Sequence, residues 1–180
     1  QNFSQKDNTV LELLQKTIDD FSHDAELKKS PVLRFKIYQA ASQLLLQRRE
    51  YQALEAYLIK LYKEFVKEKL FNKSNHDTKL QMLTYIVNSL FKNDKIKQSL
   101  QYAEQLKNAM EEFNRLHFDK YFFFYYNSLV INYSVIDKEK AIEILNELKN
   151  NRQIKSNQYY EIFVYLNLAI QNFDLGKYHE

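Results

Sequence analysis

The chain has 180 residues, 45% of them hydrophobic and 27% charged, with a formal net charge of +3, one glycine, one proline and no cysteine. That length and apolar content fit a folded domain, or one block of a longer array, rather than a disordered segment. The missing cysteines exclude disulfides and thiolate metal sites, a lone glycine excludes phosphate and dinucleotide loops, and mild, interspersed charge gives no nucleic-acid footprint.

Helix formers dominate, and few tight turns are expected from so little glycine and proline. Val10, Leu11, Leu14, Ile18 and Phe21 recur at helical spacing and predict an opening amphipathic helix of about four turns. Ser30-Pro31 suits a helix start, serine as N-cap and proline at the first position, where its missing N–H is not needed. This helix is expected to run to about Arg48. The next starts near Glu50, carries Leu54, Leu58, Leu61 and Phe65 on one face, and ends near Phe71. Asn72-Lys73-Ser74-Asn75 is a polar break. Leu83, Ile86, Val87 and Leu90 then form a stripe that leads to the turn Lys92-Asn93-Asp94-Lys95. Ile96, Ser99, Ala103 and Leu106 begin its partner helix. Tyr126, Leu129, Val130 and Tyr133 lead to the turn Asp137-Lys138, followed by Ala141, Leu145 and Leu148. Tyr165, Leu168 and Ala169 lead to Gly176.

Arg49, Asp94, Asp137 and Gly176 thus occupy equivalent turns, spaced by about 40 residues, with one residue missing near Asp137. In the last unit a large residue, an apolar one, a small one, a turn and an aromatic follow as Tyr165, Leu168, Ala169, Gly176 and Tyr178. Tyr38, Ala41, Ser42, Leu45 and Tyr51 repeat the order. This pattern resembles the tetratricopeptide repeat. The middle units depart from it: Ile96 and Glu139 replace the turn aromatic, and Ser99 replaces the alanine that opens the second helix. HEAT-like or other hairpin arrays stay open for the middle. The resemblance implies an all-α fold, a right-handed α-α superhelix (solenoid) of stacked antiparallel helical hairpins. One domain would span 1–180, with units near 1–30 (partial), 31–75, 76–118, 119–155 and 156–180 (truncated). The last unit breaks off after its turn, as in a piece of a longer array. An exposed apolar end at Tyr165, Leu168 and Phe173, prone to self-association or fraying, is therefore expected.

Residues able to carry chemistry do not converge. His23, His76, His117 and His179 lack metal-ligand spacing and are expected to be solvated link residues. Asp19-Asp20 and Glu111-Glu112 are adjacent carboxylates, which diverge by about 100° on a helix. No GxSxG elbow occurs. The expectation is a protein that is not an enzyme and uses no cofactor. Lys60, Lys63 and Lys67 share a helix face with Glu64 and Glu68 and read as a solvated outer face. The aromatic run at 121–126 is too short to span a bilayer, which takes about 20 residues. It sweeps more than one helical turn, so burial between two neighbours competes with an open docking patch.

The resemblance also implies that the first helix of each hairpin lines a groove. The groove-facing pattern carries over to Lys36, Gln39, Gln43 and Gln47, then to Thr84, Tyr85, Asn88, Phe91 and Lys92. It continues through Phe124, Asn127, Ser128 and Ile131 to Asn167, Ile170 and Phe173. Amides offer donors and acceptors to a peptide backbone, and aromatic neighbours add apolar burial. Thr84 stands where a carboxylate clamp would place lysine, so no such clamp is expected. The function implied is a protein- or peptide-binding scaffold. Its alternatives are a sensory or regulatory module of a larger signalling or transcription-regulating protein and, third, an RNA-binding helical repeat. A cytoplasmic location is expected, with export or the periplasm left open.

Overall fold

The computed structural model describes residues 12–13, 15–21, 23–26 and 29–176. All regular structure among them is helical. The chain divides into two compact units, Gln1–Asn93 and Asp94–Glu180. Of the opening helix, residues 15–21 are helical and include Ile18 and a buried Phe21, whereas Val10, Leu11 and Leu14 lie outside the described residues.

In the first unit, α1 (Pro31–Gln47) starts as Ser30 and Pro31 dictate, the Ser30 hydroxyl accepting from the Leu33 N–H at 3.4 Å. It is followed by α2 (Tyr51–Lys67) and α3 (His76–Lys92). Arg49 adopts φ 57°, and the Glu50 N–H reaches back to the Leu45 carbonyl at 3.0 Å. This backbone motif closes α1 and reverses the chain without a glycine. Lys69, at φ 54°, ends α2 in the same way, with the Leu70 N–H on the Phe65 carbonyl at 3.0 Å. Helix α2 therefore stops at Lys67, short of Phe71. That early stop lets Phe71 fold back beside Tyr62, with ring centroids 5.7 Å apart, and beside Phe65, at 5.8 Å. Phe35 of α1 meets Phe65 edge to face at 4.8 Å. Arg34 near the start of α1 binds Glu68 just past α2. Asn93 after α3 donates to the Tyr51 carbonyl at 3.0 Å and to the Glu55 carboxylate at 2.6 Å, at the start of α2. Both ties join the beginning of one helix to the end of its neighbour, so successive helices run antiparallel. Leu54, Leu58, Phe65, Leu83, Ile86, Val87 and Leu90 are buried. Lys73–Asn75 forms a single 3-10 turn held by Asn72, in place of an irregular break.

The second unit holds α4 (Ile96–Met110), α5 (Phe118–Ile136), α6 (Lys138–Lys149), one helical turn at Arg152–Lys155, and α7 (Gln158–Asp174). Ser99, Ala103 and Ala141 are wholly buried, the small residues that allow close helix approach. Between α4 and α5 the segment Glu112–Arg115 is broken by Phe113, Asn114 and Arg115 at φ 54°, 58° and 60°. Arg115 then pairs with Glu111 at 3.3 Å and lies 3.5 Å from the centre of the Phe118 ring. Asp137 alone links α5 to α6, capping α6 by accepting from the Lys140 N–H at 3.0 Å. Lys138 at the start of α6 meets Asp174 at the end of α7 at 2.7 Å, which sets these two antiparallel. Phe122, Val130, Leu145, Leu148, Ile154, Val164 and Leu168 form the core of this unit.

Tight turns are more frequent than the glycine count suggested. Arg49, Asp94 and Gly176 all take left-handed backbone, at φ 57°, 58° and 72°. Asp137 does not, at φ −158°, and its one-residue link is shorter than the links 48–50 and 93–95.

Candidate binding surface

On α1, Lys36, Gln39, Gln43 and Gln47 are all exposed. Their spacing of three or four residues puts them on one stripe, opposite the buried Tyr38, Ala41 and Leu44. On α3, Asn88 and Lys92 are exposed, while Thr84, Tyr85 and Phe91 are half-buried. The Thr84 hydroxyl donates to the Leu80 carbonyl at 2.9 Å, so its proton is spent inside the helix. Of the residues expected to line a groove in the first unit, only Lys36 and Lys92 carry charge, and both are cationic.

In the second unit Phe124 is 53% exposed, and Asn127 and Ile131 are half-buried. Ser128 does not belong to this surface: it is buried, and its hydroxyl donates to the Tyr125 carbonyl at 2.6 Å. Asn167 is half-buried and donates to the Phe163 carbonyl at 2.8 Å. Ile170 and Phe173 are 47% and 66% exposed.

The aromatic run divides between the two readings. Tyr121, Phe122 and Tyr125 are buried, and Phe123 stacks on Tyr160 of α7 at 4.1 Å with the rings 7° from parallel. Burial raises the Tyr125 hydroxyl well above its ordinary value, with the negative charge of Glu104 adding to the effect. Only Phe124 points substantially into solvent. At the last helix, Tyr165 and Phe173 are exposed, but Leu168 is buried because its side of α7 packs on α6.

His76 is not a solvated link residue: it is wholly buried at the start of α3. His23 is exposed, its Nδ1 2.6 Å from the Asp19 carbonyl; His117 is half-buried, and His179 lies outside the described residues. Among the described residues no group of three His, Cys, Asp or Glu could hold a metal ion. Asp19, Asp20 and Glu111 are exposed, and Glu112 is half-buried. No described helix is long and apolar enough to cross a membrane.

Lys60, Lys63 and Lys67 are exposed. Their neighbours Glu64 and Glu68 turn to Arg34 on α1, at 3.8 Å for Glu64. This arrangement borders a cavity of about 720 Å³ between α1, α2 and the helical residues at 15–21, where Phe21, Ile37 and Leu61 add apolar wall. The hydrogen bond from Arg34 holds the Glu68 carboxyl below its usual value. Burial first, and the charge of Glu64 second, push the Tyr57 hydroxyl up to about 12. Helical spacing makes Glu64 and Glu68 neighbours in the sequence, but nothing there points to Arg34 as their partner. Arg34, which lines the cavity together with Lys29 and Lys60, is already neutralised by Glu68.

Compared with protein-family profiles, with curated proteins and with solved structures, the chain matches none of them.

Proposed function

We propose that this chain is a protein- or peptide-binding scaffold. Its hairpins are read as tetratricopeptide-like repeats of a right-handed α-α superhelix, the solenoid form that the resemblance implies. Exposed apolar side chains beside amides, on the first helices of hairpins, carry this reading: Phe124 with Asn127, and Ile170 and Phe173 with Asn167. Exposed large apolar residues rimmed by polar ones are the chemistry of protein interfaces. The first unit, taken by itself, presents Gln39, Gln43 and Asn88, exposed and able to pair with a peptide backbone. Lys36 and Lys92 favour a neutral or acidic partner.

A peptide-display selection against the 180-residue chain tests this. A selected peptide is expected to lose about tenfold or more in affinity when Phe124 and Phe173 are both changed to serine, as for truncated interface anchors. The Lys63→Ala control on the outer face should leave affinity unchanged. Equal binding by the double variant, with helicity intact by circular dichroism, contradicts the proposal.

A further inference from the structure

Tyr159, Ile162, Leu166, Ile170 and Phe173 of α7 are 83%, 54%, 58%, 47% and 66% exposed. At 100° per residue they fall within about 80° of arc, a narrow apolar stripe. Val164 and Leu168, which enter the core, lie on the opposite side of the helix. Large apolar residues thus occupy the face where an amphipathic helix ordinarily presents polar ones.

The stripe is also symmetric about its centre. Reversed about Leu166, Tyr159 falls on Phe173, Ile162 falls on Ile170, and Leu166 falls on itself. We infer that α7 is a self-association surface, on which a second copy of this chain lays its own α7 antiparallel about a two-fold axis through Leu166. Such an isologous contact must be self-complementary, and this stripe is. Each aromatic ring would face an aromatic ring, and each isoleucine an isoleucine.

Charge agrees with this pairing. Glu161 and Asp174 are the charged residues of α7. Neither lies on the stripe: Glu161 falls about 140° from its centre, on the side of Val164 and Leu168, and Asp174 about 80° from it, so the pairing buries no charge. Asp174 is in addition neutralised by Lys138 at 2.7 Å. A parallel pairing would instead bring Asp174 of both copies to the same end. A helix from an unrelated protein would ask for an apolar stripe but not for its symmetry about Leu166.

A helix of this length extends about 25 Å, so one helix pair buries an area at the low end for specific interfaces. The expected dimer is therefore weak, with Kd on the order of 10–100 µM. The inference stands independently of the scaffold reading but bears on it. Ile170 and Phe173 belong to both surfaces, so pairing would withdraw them from a groove.

Because the chain has no cysteine, introduced thiols report the register cleanly. Sedimentation equilibrium of the unmodified chain should show mass rising toward the dimer through that concentration range. Leu166→Cys should cross-link to itself under mild oxidation. Tyr159→Cys should cross-link poorly alone but efficiently when mixed with Phe173→Cys. Leu166→Glu and Leu166→Lys should each weaken the dimer more than tenfold, and an equimolar mixture should restore it as a heterodimer. Leu166 is exposed, so circular dichroism should show both variants fully helical. A strict monomer up to about 1 mM, self-cross-linking of Tyr159→Cys, or a dimer untouched by Leu166→Glu would overturn the inference.

Discussion

Arg34 shows how one residue ties separate helices. Its guanidinium binds Glu68, approaches Glu64, and lies 4.9 Å from the centre of the Phe65 ring. Because Glu68 has a lowered folded value, its contribution is present above the ordinary 4.5 and is lost as pH falls through the lowered value. The carboxylate is largely exposed, so solvent screening keeps the gain to about 0.5 kcal/mol. Glu68→Gln should therefore melt slightly below the parent chain at pH 7, the gap closing in acid as pH falls through the lowered value. A difference that persists undiminished in acid would contradict the assignment. Tyr57 works in the other direction. Its folded value is raised to about 12, so its contribution holds below the ordinary value of 10 and fades as pH climbs between the two. Tyr57→Phe should lose less stability than the parent on going from about pH 9 to pH 11. Local features of this kind are only half legible in a sequence. The Ser30-Pro31 cap can be read because both partners are near neighbours. The Arg34–Glu68 pair joins residues far apart in the chain, and no local pattern announces it.

At the level of elements, the helical stripes were legible because burial repeats with the helical period. Leu83, Ile86, Val87 and Leu90 were expected inside and are inside. The ends of helices were less so. Helix α2 stops at Lys67 because a lysine takes a left-handed conformation, a role that composition assigns to glycine. Arg49→Gly should consequently raise stability by about 0.5–1 kcal/mol, relief of left-handed strain exceeding the entropy lost by glycine. A lower melting temperature would contradict that account of the turn. The one-residue link at Asp137 was foreshadowed by the shortened spacing. Its side chain is the cap of α6, so Asp137→Ala should cost about 1 kcal/mol, measured by urea unfolding. Ala141 is wholly buried, so a larger side chain there must displace packed neighbours. Ala141→Leu should cost about 1–3 kcal/mol through overpacking.

For the whole molecule, an all-helical chain of hairpins followed from composition and period, and antiparallel neighbours are seen inside each compact unit. The groove assignment was legible only as a pattern, because exposure depends on which neighbours cover a face. Gln39, Gln43 and Asn88 are outward, Ser128 is buried, and Phe124 is the open member of a run whose other residues are mostly covered. The α7 stripe could have been found from its spacing, since Tyr159, Ile162, Leu166, Ile170 and Phe173 recur at helical intervals. The competing stripe of Val164 and Leu168 on the same helix hides which side faces inward. The proposed binding surface of each unit can be tested most directly by side-chain amide signals in nuclear magnetic resonance spectra, those of Gln39, Gln43 and Asn88 in the first and of Asn127 and Asn167 in the second. Titration with a peptide selected on the chain is predicted to shift these signals first and most strongly. Shifts confined to the Lys60, Lys63 and Lys67 face, with those amides unmoved, would contradict the scaffold reading.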